Sequence, residues 1–512
     1  MSDPRLSDHH RIAIVGSGFA GLGAAIRLKQ AGITDFTVLE RGNDVGGTWN
    51  FNTYPGCQCD IPSHLYSFSF APNPNWSRTY SLQPEIWEYL RRCSREHDID
   101  RHVRLRCEVV AAHWDEEAEL WRIQTSDPDG AEHELTAEVL VAGAGPLNEP
   151  KLPDIPGIED FQGTIFHSAQ WNHAHSLQGE RVAVIGTGAS SIQFVPHLQK
   201  EVAQLHVFQR TPPWVVPHRD RRTTRVERWL YRHVPALQRL VRTGVYGMRE
   251  LFVLRLMHPL RGSLPERVAQ RHLHAQVPDP QLRERLTPDY RIGCKRILIS
   301  NDYYPTLQQP NVELVTDGIT VIEPHALVTA DGARREVDAI VLGTGFHVTD
   351  MPVANWIRGR GGRSLADAWQ GSPQAYLGST VAGFPNMFLL VGPNMGLGHN
   401  SIVFMIEAQL NYLMGALRTS EKLAGAASAG AIFEVRDSVM RAFNAEVQYH
   451  LKGSVWTSGG CQSWYIDEHG RNTTIWPGFT WRYYGRTRHF NPSDYTLRAR
   501  RVASQRETLA IA

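Results

Sequence analysis

The sequence predicts an α/β chain with two Rossmann-like dinucleotide-binding domains and a helical insertion, and three observations carry that prediction. Residues 11–40 run strand, glycine turn, helix, strand. Residues 181–211 repeat the order, and residues 219–290 are basic with apolar side chains at helical spacing.

In the first unit, Arg11-Ile-Ala-Ile-Val15 is a short apolar strand, followed at once by Gly16-Ser-Gly18-Phe-Ala-Gly21 and a helical stretch from Leu22 to Gln30. One glycine makes the tight turn, the second admits a pyrophosphate against bare backbone, and the third lets helix pack on strand. The helix N-terminus offers unpaired N–H groups and partial positive charge to a diphosphate. A second strand, Phe36 to Leu39, ends in Glu40, placed for a carboxylate to accept both ribose hydroxyls.

The 512 residues exceed what one hydrophobic core usually supports, so two or three domains are expected. Hydrophobic content of 42% and charged content of 21% are ordinary for a globular chain, and a net charge of +1 gives no reason to expect nucleic acid. Six scattered cysteines are too sparse for a disulfide framework. Cys57 and Cys59 lack a second ligand pair, so no metal site is expected and they read as packed thiols. No run of 18 apolar residues suggests a membrane span, and the polar first ten residues lack an apolar signal region. A cytoplasmic enzyme with no obligate protein partner is the expectation.

After Glu40, Gly46-Gly-Thr48-Trp49 and Tyr54-Pro-Gly-Cys-Gln-Cys-Asp60 form a glycine-rich, aromatic loop region. Trp49, Phe51, Tyr54 and Tyr66 suit either a flat ring or the core. Gln83 to Arg92 reads as a helix. Val103 to Trp114, Trp121 to Thr125 and Glu134 to Leu140 alternate like a small antiparallel insert. Val139 to Gly145 closes the first sheet, and prolines 146, 150, 153 and 156 mark a linker.

The second unit opens at Arg181-Val-Ala-Val-Ile-Gly186-Thr187-Gly188-Ala189-Ser190-Ser191. Ser191 replaces the third glycine, and Gln209-Arg210 stands where a ribose acid is expected. A carboxylate there would repel a 2′-phosphate, whereas arginine can hold one with two parallel charge-assisted bonds, so NADPH is expected over NADH. The arginine-rich stretch 219–290 could lie on an anionic membrane, but an inserted helical subdomain with solvated or phosphate-facing arginines is the favoured account. Val337 to Phe346 is expected to return the chain to the first domain. Phe388 to Asn400, strand then glycine loop, leads into a long apolar helix from Ser401 to Leu413. The expected division is therefore 1–147 and 338–512 for an FAD-binding domain, 148–218 and 291–337 for an NADPH-binding domain, and 219–290 for the helical subdomain.

Two such sites describe a flavoprotein that takes hydride from NADPH. There is no CxxxxC after the first glycine turn to supply a redox disulfide, and no haem or iron–sulfur ligand set, so O2 is the natural acceptor.

Between the two units, Phe161-Gln-Gly163-Thr-Ile-Phe-His167-Ser-Ala-Gln-Trp171 resembles the FxGxxxHxxxW fingerprint of type I Baeyer–Villiger monooxygenases, of the class B flavin-dependent monooxygenases. The resemblance extends over Gly46 to Trp49, Tyr54 to Asp60, Gln83 to Ile86, Phe208 to Thr211, Lys295-Arg296, Tyr303-Tyr304 and the C-terminal Ser463-Trp464-Tyr465 region. Three positions depart from the pattern. Asn172 replaces Pro or Asp, Gly343-Thr-Gly345 replaces Ala-Thr-Gly, and Pro146 stands where some members carry glutamine.

The resemblance implies insertion of one oxygen atom beside a ketone carbonyl through a C4a-peroxyflavin that must remain anionic, giving an ester or lactone. It implies FAD on Gly16, Gly18, Gly21, Glu40, Thr48, Trp49, Asp60, Tyr66 and Val109. It implies NADPH on Thr187, Gly188, Ala189, Ser190, Ser191, Gln193, Arg210, Thr211 and Lys295. Arg296 is then the catalytic cation, anchored by Asp60, and Trp464 closes over nicotinamide and substrate. His167 and Trp171 would couple domain rotation to cofactor binding. The alternatives are an N- or S-oxygenating flavin-containing monooxygenase and a non-oxygenating NADPH oxidase-type flavoprotein.

Overall fold

The computed structural model describes residues 9–258, 263–424 and 430–500; the first eight residues and Arg261 of the arginine-rich stretch lie outside them. The apolar run Ile12 to Val15 belongs to β1 (His9–Val15), which is hydrogen-bonded in parallel on both sides, to β2 (Phe36–Leu39) and to β6 (Glu132–Ala142). A strand flanked in this way is covered on both faces, which is why it reads as continuous rather than alternating hydrophobicity. Outward from β2 lies β3 (Val103–Arg104); on the other side β6 continues to β5 (Leu120–Ser126) and β4 (Glu108–Asp115), with Met387–Leu389 also pairing β6.

The expected antiparallel insert is thus no separate unit. β6 is 11 residues long, and its first half pairs antiparallel with β5 while its second half pairs parallel with β1. Val103 does not start the insert either, because it joins β2 on the far edge.

A second, all-parallel sheet runs Val312–Val315, β9 (Gln204–Phe208), β8 (Arg181–Ile185), Ala339–Leu342, β7 (Thr164–His167). This moves a boundary. Residues 339–342 were expected to open the return to the first domain, yet they sit between β7 and β8 inside the second sheet. An apolar strand ending in glycine suits either sheet, and only pairing distinguishes them. The chain crosses just beyond, where Lys151 N–H donates to Gly345 O at 2.9 Å and His347 N–H to Glu149 O at 3.1 Å, so both linkers run side by side.

The helices that matter to the site are α1 (Phe19–Gln30), α2 (Thr48–Phe51), α3 (Gln83–Glu96) and α4 (Ser191–Leu198). The insertion folds as expected into α5 (Arg225–His233), α6 (Pro235–Met257), α7 (Leu264–Gln276) and α8 (Pro280–Arg285). The long C-terminal helix Ile402–Ala424 packs on α1, closing the first domain with residues from far down the chain.

Two of the scattered cysteines are joined. Cys294 and Cys461 form a disulfide across a separation of 167 residues, with Cα atoms 6.1 Å apart. It ties the segment carrying Lys295-Arg296 to the loop carrying Trp464. Cys57 and Cys59 are buried free thiols.

Candidate active site

The two glycine turns are built for different neighbours. Gly16 takes φ +87°, a backbone state that side chains other than glycine rarely adopt, and its N–H donates to Leu39 O at 2.8 Å. A Cβ on Gly21 would lie 1.8 Å from Gly16 O, so helix and turn meet only without a side chain there. Gly18 begins α1 with no side-chain cap and no acid in the first turn, leaving its N–H groups for an anion. Glu40 is buried at the end of β2, where it accepts from Ser17 N–H at 2.8 Å, Ser17 Oγ–H at 2.6 Å and Gly42 N–H at 2.7 Å. Those bonds fix the carboxylate beside the turn. Thr48 starts α2, and the indole of the buried Trp49 donates to Tyr66 Oη at 3.1 Å. Val109 is buried on β4 within the same sheet.

In the second turn a Cβ on Gly188 would meet open space, and Ala189 and Ser190 lead into α4 without a side-chain cap. Ser191 is fully buried, and a Cβ on Gly343 would lie 2.1 Å from Ser191 Oγ. Serine in place of the third glycine and glycine in place of alanine thus face each other, and an alanine at 343 would force the Ser191 hydroxyl to move. Gly343→Ala is expected to destabilise the fold by about 1–3 kcal/mol, as overpacking does. Adding Ser191→Gly should restore most of that loss. Urea unfolding of the single and double variants checks it, and a single variant as stable as the parent would refute the packing.

Gln193, on α4, is hydrogen-bonded across to the loop after the first unit. Its amide accepts from Tyr54 Oη–H at 3.0 Å and Gln58 N–H at 3.2 Å and donates to Gln58 O at 3.2 Å, bridging the second unit to the Tyr54–Asp60 loop. Thr187 Oγ1 reaches Thr211 O at 3.5 Å. Lys295 is held down in pKa by burial and then by the charge of Arg210, opposed by Asp289. Arg210, just beyond β9, and Lys295 thus lie within each other's field.

Arg296 and Asp60 come together from positions 236 residues apart in a bidentate pair, Nε and Nη2 each 2.6 Å from a carboxylate oxygen. Leu397 O accepts a further bond from Nη1 at 3.3 Å. The side chains retain 33% and 24% exposure, so the cation is clamped yet open on one side. Burial pushes the Asp60 carboxyl up, but Arg296, with Arg249 behind it, outweighs this and holds it below the ordinary range. For Arg296, burial opposes the charge and Asp60 wins, so the guanidinium is held more firmly protonated still. Tyr465, which has no site role in the sequence reading, is buried beside this pair and in electrostatic contact with both members. Trp464 is 45% exposed, edge-on to Tyr465 with ring centres 4.3 Å apart, on the loop tied down by the disulfide.

The fingerprint lies at the joint. Phe161 packs under the second sheet, and a Cβ on Gly163 would meet Asp338 O at 2.2 Å. Trp171 lies edge-on to Phe166 and tilted on Phe194. Asn172 Oδ1 accepts from Ala174 N–H at 3.1 Å, doing what an aspartate would do at that position. His167 is buried at the end of β7, and burial pulls its imidazole down to about 4, with the Gly345 backbone opposing. The unfolded imidazole titrates at about 6.5, so between these values the unfolded chain holds the extra proton. Stability therefore falls as pH drops from about 6.5 towards 4, by on the order of 3 kcal/mol in all. His167→Asn should flatten that part of a denaturant-unfolding pH series; an unchanged slope would remove His167 as its source.

Among the described residues no cluster could hold a metal ion, and no helix is long and apolar enough to cross a membrane. An uncapped helix above a bare glycine turn beside a fixed carboxylate suits FAD, and an open turn with two cations suits NADPH. The architecture is that of a two-nucleotide flavoprotein. A family model described as flavin-binding monooxygenase-like matches residues 9–355, and the chain belongs to that family. A relative named Baeyer–Villiger monooxygenase from Streptomyces coelicolor is 50% identical over 96% of this chain and 93% of its own. The chain also resembles a solved steroid monooxygenase bound to NADP, with 31% identity, TM-score 0.81 and coverage of 94% and 97%. A structure titled OTEMO in complex with FAD and NADP gives 27% identity, TM-score 0.84 and coverage of 96% and 99%.

Proposed function

We propose that this chain is an NADPH- and O2-dependent Baeyer–Villiger monooxygenase. It converts a ketone, O2, NADPH and a proton into an ester or lactone, water and NADP+. The observation that carries it is the Arg296 cation, clamped by Asp60 and one-third exposed. The 50% identity to a relative of that name supports the same reading. Bound flavin, once reduced by NADPH, supplies the activation of O2.

The chain's own residues do the rest. Glu40 and the α1 N-terminus bind the FAD ribose and diphosphate, with Trp49 and Tyr66 beside them. Lys295, Arg210 and Thr211 hold the 2′-phosphate, and the open turn at Thr187 to Ser191 takes the diphosphate of NADPH. Arg296 places a permanent positive charge where negative charge builds on the substrate carbonyl oxygen under attack. Asp60 fixes the plane of that guanidinium. Trp464, exposed on its tethered loop, covers the ketone and excludes water. Reliance on NADPH fits a cytoplasmic setting.

Incubating the purified yellow protein with NADPH, air and a panel of cyclic, linear, aryl and steroid ketones should give at least one ester or lactone carrying a single atom from O2. Products confined to N- or S-oxides of added amines and sulfides would place it instead with the N- and S-oxygenating enzymes.

A further inference from the structure

Helix α6 turns inward Val253 and Leu256 together with several polar side chains, and those polar groups are hydrogen-bonded. Gln238 donates to Asn73 O at 2.7 Å, Arg242 to His64 O at 2.6 Å and Ser67 O at 2.9 Å. One turn on, Tyr246 Oη meets Thr480 Oγ1 at 3.0 Å, and Glu250 accepts from Asn400 Nδ2 at 2.6 Å and Thr480 N–H at 2.9 Å. The opposite face carries Leu240, Met248, Leu251 and Leu254, 46–70% exposed, with exposed Thr243, Gly244 and Gly247 between them. Those spacings put them on one stripe.

The stripe is not isolated. Val226 and Trp229, three residues apart on α5, are 66% and 56% exposed. Of the 18 exposed large apolar side chains among the described residues, eight fall between Val226 and Leu264, so the exposure is concentrated on this insertion. Scattered single apolar residues need no explanation, but a concentrated patch marks an interaction surface.

Charge selects the occupant. From Arg221 to His258 the chain has nine arginines, two glutamates and no lysine or aspartate. Both glutamates are used internally, Glu227 by Arg221 and the α5 N-terminus, Glu250 by the buried network above. Arg222, Arg225, Arg232, Arg239 and Arg255 remain exposed. Pairing this face with its own copy would bring like charges together in a desolvated contact. An anionic surface with an apolar interior meets both requirements.

We propose that the α5–α6 face docks the enzyme onto an anionic lipid bilayer. The Leu240–Leu254 stripe enters the headgroup boundary, Trp229 sits at the interface and the arginines meet lipid phosphates. Burying the stripe supplies apolar free energy, and each arginine near the surface strengthens binding roughly fivefold.

The test is flotation of the full-length, FAD-loaded protein with vesicles of phosphatidylcholine alone or mixed with phosphatidylglycerol. Co-flotation is expected with the mixed vesicles only, and it should weaken in high salt. Arg225→Gln with Arg239→Gln should weaken it by about 25-fold. Leu240→Asp, Met248→Asp and Leu251→Asp together should abolish it while NADPH oxidation in solution stays at the parent level. No binding to mixed vesicles, equal binding to neutral ones, or a triple variant that floats like the parent overturns the proposal. A parent dimer in analytical ultracentrifugation that the triple variant dissolves, with no flotation, assigns the face to a second copy instead.

Discussion

Arg296→Ala is expected to abolish ester formation while the protein remains yellow and continues to oxidise NADPH. The reason lies in what the guanidinium is held by and what it faces. Two bonds of 2.6 Å fix it to Asp60, and a third at 3.3 Å reaches the Leu397 carbonyl, yet a third of its surface stays open. A cation so held keeps one orientation, which the proposed role needs toward a developing oxyanion, and it stays protonated at any working pH. Removing one preorganised donor at such a position costs on the order of 10²–10³ in rate. Here the donor is also the fixed charge, so the loss should reach at least the upper end.

Arg296→Lys keeps the charge but not the two-bonded fork, so it should recover only a small part of the rate. Asp60→Ala should cost less than Arg296→Ala, because the cation survives without its anchor. Product analysis with absorbance of the bound flavin separates these cases. Lactone at the parent rate from Arg296→Ala would end the assignment, and colourless protein would show that the substitution struck flavin binding instead.

How legible this site was depends on which interactions are local. The first glycine turn, Glu40 and the helix after it could be read because their spacing is set by one supersecondary unit, and β1, α1 and β2 fall where the pattern puts them. The pair of Arg296 with Asp60 came only from family resemblance, since 236 residues separate them and no periodicity connects them. Tyr465 escaped because one aromatic in a C-terminal stretch dense in aromatics gives no sign of burial beside a charge. The Cys294–Cys461 bridge escaped for the same reason of distance. The strand at 339–342 was misplaced because its composition satisfies either parallel sheet, and register alone decides between them. Ser191 and Gly343 looked like two independent departures, yet a Cβ at 343 would lie 2.1 Å from Ser191 Oγ, so the two positions pack together. The insertion was read correctly as helical, but its exposed apolar stripe required knowing which face meets Asn73, His64 and Thr480.

Replacing Lys295 and Arg210 together with alanine is expected to erase the preference for NADPH over NADH. The two cations are close enough that Arg210 depresses the Lys295 ammonium, after burial, with Asp289 only partly opposing. That is an unfavourable arrangement in the free protein, and a bound 2′-phosphate would relieve it. Hydrogen bonds to charged groups are each worth about 1.5–3 kcal/mol. Each single substitution should therefore lower kcat/KM for NADPH by roughly 10–100-fold, and the pair by on the order of 10³-fold. NADH, which has no 2′-phosphate to hold, should change little.

The lysine adds a pH signature. Its pKa lies below the ordinary lysine value of about 10.5, so on raising the pH it discharges earlier than a surface lysine would. KM for NADPH should climb in that alkaline window, KM for NADH should stay flat, and Lys295→Ala should remove the difference. Steady-state kinetics with both nucleotides across pH decide the matter. Parent enzyme that uses NADH as well as NADPH, or a double variant that still discriminates between them, would move the 2′-phosphate away from this corner.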